Sequence, residues 1–214
     1  KGGEKLKLVV DRILASVGRQ PNTDDLGLET TKVTINDRGF IAIDAQCRTT
    51  DKRIFAIGDV AGDPMLAHKA SREGIVAAEV IAGHNAQFDV RAIPAVVYTA
   101  PELAWCGMTE AEARAKGLNL KIGKFPWGAS GRAIAIGRPE GSTKIITNAD
   151  TKQILGVGIV GDNAGDLISE CVLAMEMGAT AEDLAMTIHP HPATSETIME
   201  AAESVLGSAI HALR

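Results

Sequence analysis

The chain has 214 residues, with 22 Lys and Arg against 27 Asp and Glu, giving a formal net charge of −5. That length allows one or two packed domains, and 45% hydrophobic with 23% charged residues is a globular composition, neither disordered nor collagenous. Mild acidity and 3% aromatic content disfavour a nucleic-acid groove, which rewards clustered cations and stacking rings.

The longest run free of Asp, Glu, Lys and Arg, from Leu184 to Ser195, contains two prolines, so no membrane-spanning helix is expected. Cys47, Cys106 and Cys171 form no Cys-x-x-Cys pair and no metal-ligand spacing. They are expected as small buried hydrophobes in a reducing compartment.

Along the chain, Leu8 to Ala15 reads as a strand entered from upstream, in a chain that starts without Met and is expected to be the C-terminal part of a longer polypeptide. Gly18-Arg19-Gln20-Pro21-Asn22 is a loop. Gly39 to Asp44 and Arg53 to Ile57 read as short strands, the second apolar and buried. A helix follows from about His68 to Ala82, with Ile75, Ala78 and Ile81 on one face and Gly83 as its stop.

A domain boundary is placed near Arg91-Ala92. Beyond it, Ala95 to Tyr98, Leu118 to Phe125, Lys144 to Thr147 and Ile154 to Val160 read as strands. Thr109-Glu110-Ala111-Glu112 has the spacing of a capping box, and Gly117 closes the short helix it opens. A helix from about Gly165 to Met177 places Ile168, Cys171, Val172 and Met175 together. A last helix, from about Ser195 to Leu213, is expected to bury Ile198, Ala202, Val205, Ala209 and Leu213. The pattern predicts an α/β region followed by a compact α+β unit.

Two segments carry chemistry. A buried parallel strand ending in Gly58-Asp59 would deliver a carboxylate to the sheet edge where nucleotides bind, although Asp59 could equally cap a turn. Met65-Leu66-Ala67-His68 then enters a helix whose positive end would face the same ligand. The second segment is His189-Pro190-His191-Pro192-Ala193-Thr194-Ser195-Glu196. An imidazole oriented by a carboxylate makes a general base; the competing reading is a surface loop with two solvated imidazoles.

Together these segments resemble the FAD-dependent pyridine nucleotide–disulfide oxidoreductases. The Gly58-Asp59 and Met65 to His68 stretches resemble that family's second flavin-contact segment, and Gly18 to Asn22 resembles the loop after its NAD domain. The resemblance implies that Asp59 binds the ribityl chain, that Gly58 lets it approach, and that Met65, Leu66, Ala67 and His68 line the flavin edge.

The His-x-His-Pro-x-x-Ser-Glu element is similar to that of the dihydrolipoamide dehydrogenase branch, with His191 as base, Glu196 as its partner, and Ala193 where Thr is commoner. His189 separates it from the glutathione reductase type, and no vicinal cysteine pair of the mercuric reductase type is present. Ile93 to Glu102, Gly107 to Glu110, Phe125 to Ala133 and Leu155 to Gly161 resemble the family's dimerisation domain.

The resemblance implies residues 1–22 as the end of an NAD-binding domain, 23–92 as the C-terminal part of the FAD-binding region, and 93–214 as the interface domain. It implies FAD and NAD as cofactors, a homodimer, lipoamide as substrate, and a dihydrolipoyl acyltransferase of a 2-oxo acid dehydrogenase complex as partner. Bacterial cytoplasm or mitochondrial matrix would be its home. No Cys-x₄-Cys and no Gly-x-Gly-x-x-Gly is read in the chain, so the redox disulfide and both pyrophosphate-binding turns are expected outside it. A related disulfide reductase, or a non-catalytic dimerisation and docking fragment, are the alternatives.

Overall fold

Residues 6–211 are described by a computed structural model, and the chain divides after Phe88 into two units. In the first unit, helix α1 (Ala67–Ile81) packs Val76, Ala77 and Val80 against Cys47, with Ile43, Phe55, Ala86 and Phe88 around them. The predicted face is the wrong one: Ile75 and Ile81 are 50% and 67% exposed. Two apolar stripes run along α1 at helical spacing, and the smaller Val and Ala side chains fit beneath the Cys47 turn.

The three strands expected here do not form. Leu8 to Ala15 is exposed and unpaired, with Val9 91% and Leu14 92% exposed, because a strand needs a ladder partner and the described residues of this unit offer none. Gly39 to Asp44 and Arg53 to Ile57 reduce to single antiparallel bridges, Ile35 to Ile41, Ile43 to Thr49 and Arg48 to Phe55. The segment entering Gly58 is therefore not a buried parallel strand; Ile57 is 39% exposed.

The second unit holds a five-stranded antiparallel sheet. Its strands are β1 (Ala95–Val97), β2 (Glu102–Gly107), β3 (Leu120–Pro126), β4 (Ser142–Asn148) and β5 (Ile154–Gly161), in the order β1-β2-β5-β4-β3. Register puts Cys106, Val157, Ile145 and Gly123 side by side across four strands, so they share one face. That face is covered by α4 (Ala164–Glu176), where Met175 reaches Cys106, and by α6 (Glu196–Leu206), which lies against Gly123. Three shorter helices complete the unit: α2 (Glu110–Ala115), α3 (Gly131–Ala135) and α5 (Ala181–Met186), with α5 packed on α6.

The capping box at Thr109 and Glu112 forms, and a second one forms at Thr180 and Asp183. β2, α3 and α5 were not expected. β2 turns only small residues inward, Ala104 and Cys106, and the two helices are five and six residues long. The expected last helix is shortened: it stops at Leu206 because Gly207 takes a left-handed conformation, φ 83°. Ala209 lies past that stop, and Leu213 lies outside the described residues.

One absence is corrected. Gly156-Val157-Gly158-Ile159-Val160-Gly161 does have Gly-x-Gly-x-x-Gly spacing, but all of it lies inside β5, between two antiparallel neighbours. A pyrophosphate site needs those glycines in the turn from strand to helix. Here they admit neighbours: a Cβ at Gly156 would stand 2.0 Å from the Met108 carbonyl oxygen, and one at Gly161 would stand 2.4 Å from the Trp127 ring.

All three cysteines are free and buried. Burial pushes the Cys106 thiol up to about 12 and raises those of Cys47 and Cys171, so none is a ready thiolate. Among the described residues, no helix is long and apolar enough to cross a membrane.

Candidate active site

The loop between α5 and α6 presents His191, whose side chain is 78% exposed. Its Nδ1 lies 2.8 Å from Glu196 Oε1, and Glu196 Oε2 accepts the Ala193 N–H at 2.8 Å. Glu196 opens α6, so the first turn of the helix fixes the carboxylate while the loop folds back over it. Burial works to raise the Glu196 carboxyl, but the Ala193 N–H, the His191 hydrogen bond and the charges of His191 and His189 outweigh it and hold it low. An ionised Glu196 only accepts, so Nδ1 carries the proton and Nε2 keeps its lone pair.

Among the described residues His191 Nε2 has no partner. The ring borders a cavity of ≈ 260 Å³ lined also by Phe125, Ser130, Glu196, Glu200 and His211.

His189 behaves differently. Its side chain is 4% exposed, with Nδ1 2.8 Å from the Thr187 carbonyl oxygen and Nε2 2.8 Å from Glu170 Oε1. The reading of two solvated imidazoles therefore fails for His189. With both ring nitrogens facing protein oxygens, His189 presents no open nitrogen, whereas His191 does.

The other predicted site lies in the first unit. Gly58 begins a single helical turn with φ 74°, a conformation that a side chain disfavours, and a Cβ there would stand 3.0 Å from the Ala70 Cβ. Asp59 follows, with its side chain 37% exposed and 3.3 Å from Arg19 Nη2. Helix α1 starts at Ala67 after Met65 and Leu66, both half-buried; no side chain caps it and no acidic residue occupies its first turn. The positive end of the helix dipole is thus not offset by an acidic residue in its first turn, which suits an electron-rich ligand edge.

Two residues that sequence reasoning missed hold this turn to the helix. Glu73 Oε2 accepts the Gly58 N–H at 2.7 Å, and Glu73 Oε1 pairs with Lys69 Nζ at 2.8 Å. Both side chains are at most 5% exposed, and Lys69 Nζ also donates to the Gly62 carbonyl at 3.1 Å. In sequence, Lys69 and Glu73 look like an ordinary exposed i,i+4 pair. Only their position one turn after the helix start hinted otherwise.

Comparison with known proteins decides the family. Residues 93–202 match the dimerisation domain of the pyridine nucleotide-disulphide oxidoreductases, and residues 1–74 match the pyridine nucleotide-disulphide oxidoreductase description itself. The chain belongs to this family. Among these oxidoreductases, it is 54% identical over 100% of its length to the dihydrolipoyl dehydrogenase of Thermus scotoductus, covering 46% of that protein. It is 50% identical over 99% of its length to that of Bacillus subtilis, covering 45%.

The chain thus spans less than half the length of these relatives. Among solved structures, the LpdA protein of Mycobacterium tuberculosis superposes with TM-score 0.81 at 28% identity, over 88% of this chain and 41% of that one. The HOCl-induced flavoprotein disulfide reductase RclA of Escherichia coli gives 0.80 at 27%, over 87% and 43%.

Proposed function

We propose that this chain is the C-terminal portion of a dihydrolipoyl dehydrogenase that oxidises protein-bound dihydrolipoamide and reduces NAD⁺. One observation carries the reading: His191, with Nδ1 tied to Glu196 and its ring lining a cavity, in a chain half-identical to enzymes of that name. The substrate thiol gives its proton to His191 Nε2, and Glu196 stabilises the imidazolium that results. The thiolate left behind is the nucleophile for exchange with a redox disulfide supplied from outside this chain. Overall the dithiol loses two electrons and two protons; a hydride's worth reduces NAD⁺ and one proton leaves to solvent.

The first unit fits FAD. Asp59 offers an acceptor for the hydroxyls of the ribityl chain, Gly58 clears its path, and Met65, Leu66, Ala67 and His68 border the flavin edge at the positive end of α1. FAD, when bound, supplies the electron relay from disulfide to NAD⁺. We assign residues 1–22 to the end of the NAD-binding domain, 23–92 to the FAD-binding region and 93–214 to a homodimer interface. A dihydrolipoyl acyltransferase is the expected docking partner.

The test is rapid mixing of the full-length flavoprotein with dihydrolipoamide or with glutathione. Bleaching of the flavin by dihydrolipoamide alone supports the reading. Bleaching by glutathione alone overturns it in favour of the glutathione reductase type, and no bleaching by either leaves dimerisation and docking as the function.

A further inference from the structure

Between Met186 and Pro192 every residue but one is exposed. Met186 is 77% and Ile188 95% exposed, so apolar burial does not anchor this loop. The exception is His189, which lies between the Thr187 carbonyl and Glu170 on α4, and among the described residues its bond to Glu170 ties the loop to an element 19 residues away. Downstream, the loop is held by the Ala193 N–H on Glu196. His191 stands between these two anchors with a side chain that is itself mostly in solvent.

We propose that His189 and Glu170 form a positioning pair for the base, fixing the upstream end of the loop so that His191 Nδ1 meets Glu196 and Nε2 faces the cavity. This deepens, and rests on, the reading of His191 as the base. A general base works only when held within a fraction of an ångström of its productive place, which an exposed ring on an untethered loop cannot ensure. Both ring nitrogens of His189 lie 2.8 Å from protein oxygens, so rotation of its ring gives up the contact that reaches Glu170.

The experiment uses the full-length holoenzyme. His189→Ala and Glu170→Ala should each lower kcat for dihydrolipoamide about tenfold or more, a scale set by misplacing a reacting group, with KM little changed. Because the two residues act through one bond, the double variant should be no worse than either single one. Glu170→Gln, whose amide oxygen still accepts from His189 Nε2, should recover most of what Glu170→Ala loses.

The pH profile separates positioning from general damage. A displaced His191 loses the carboxylate that supports its protonated form, so the acidic limb of kcat, where the base is lost to protonation, moves to lower pH in His189→Ala. General damage scales the profile without moving it. NADH-to-dye electron transfer, which needs no thiol base, should stay at the parent's level.

A kcat within twofold of the parent, multiplicative losses in the double variant, an unmoved pH limb, or an equal fall in dye reduction overturns the proposal. Glu170 is a third exposed, so its variants test the pair even where His189→Ala folds poorly. An unmodified enzyme that ignores dihydrolipoamide overturns the function reading instead, whatever the variants do.

Discussion

In the proposed reaction, His191 and Glu196 divide the work of a base between an exposed ring and a shielded carboxylate, 78% and 21% exposed. The depressed Glu196 carboxyl contributes stability that is present above its ordinary value of 4.5 and lost as pH falls through its lower folded value. At neutral pH it is ionised, and Nδ1–H is fixed. His191→Gln should therefore cut kcat for dihydrolipoamide by ~10²–10⁴, the contribution of a positioned base, while NADH-to-dye transfer stays intact. Steady-state kinetics of the two half-reactions check this, and a loss smaller than tenfold would remove His191 from the role.

Lys69 and Glu73 make the contrasting case of a pair with almost no solvent. Removing one partner leaves the other charge buried, which costs about 3–5 kcal/mol. Lys69→Met is thus expected to weaken the Gly58 turn and FAD retention together. Lys69→Met combined with Glu73→Leu should regain much of the stability but not the flavin, since Gly58 N–H loses its acceptor. Urea unfolding and flavin-release assays distinguish the two effects.

At the scale of elements, α6 is placed by β3 more than by its own sequence. A Cβ at Gly123 would stand 2.1 Å from the Ala201 carbonyl oxygen and 2.6 Å from Val205 N, so the helix backbone rests directly on the strand. Both are backbone atoms that cannot step aside. Gly123→Ala should cost about 1–3 kcal/mol through overpacking, and because Glu196 begins the same helix, kcat should fall with it.

Past the end of α6, His211 binds Glu200 by a short hydrogen bond. That bond and the Glu200 charge raise the His211 imidazole above its ordinary 6.5, with Glu203 and Glu196 adding. A folded value above the unfolded one contributes stability that is complete below pH 6.5 and lost as pH rises through the folded value. Thermal midpoints of His211→Asn should therefore lie below the parent's at pH 6 and converge with them at pH 9. Parallel curves would show that the tail contributes nothing.

What the sequence discloses follows from the range of the forces involved. The capping box at Thr109, the α4 face and the His191–Glu196 spacing are local and legible in the sequence. The burial of His189 was not, because its partner Glu170 lies 19 residues back on another helix. The same holds for Glu73, whose role depends on how the Gly58 turn meets α1, and for the stripe of α1 that becomes core. The glycine spacing in β5 misleads in the opposite direction: the same letters that cradle phosphates in a turn admit a carbonyl and an indole when they sit inside an antiparallel strand.

Over the whole molecule, the proposed function makes the site in this chain one half of a reaction centre. It offers a base with an open nitrogen and a cavity beside it, while its three thiols are buried and held protonated. The disulfide must come to His191 from elsewhere, and the matched dimerisation domain suggests a route, from the second copy across a two-fold axis. A full-length His191→Gln variant and a full-length variant lacking the redox disulfide should each be inactive toward dihydrolipoamide. Unfolded together and refolded as a mixture, half of the dimers become hybrids with one intact site, so about a quarter of the parent activity should return. Recovery to that level requires base and disulfide to come from different chains. Its absence, in a mixture shown by mass to contain hybrids, would place both groups within one chain and leave the interface a structural role only.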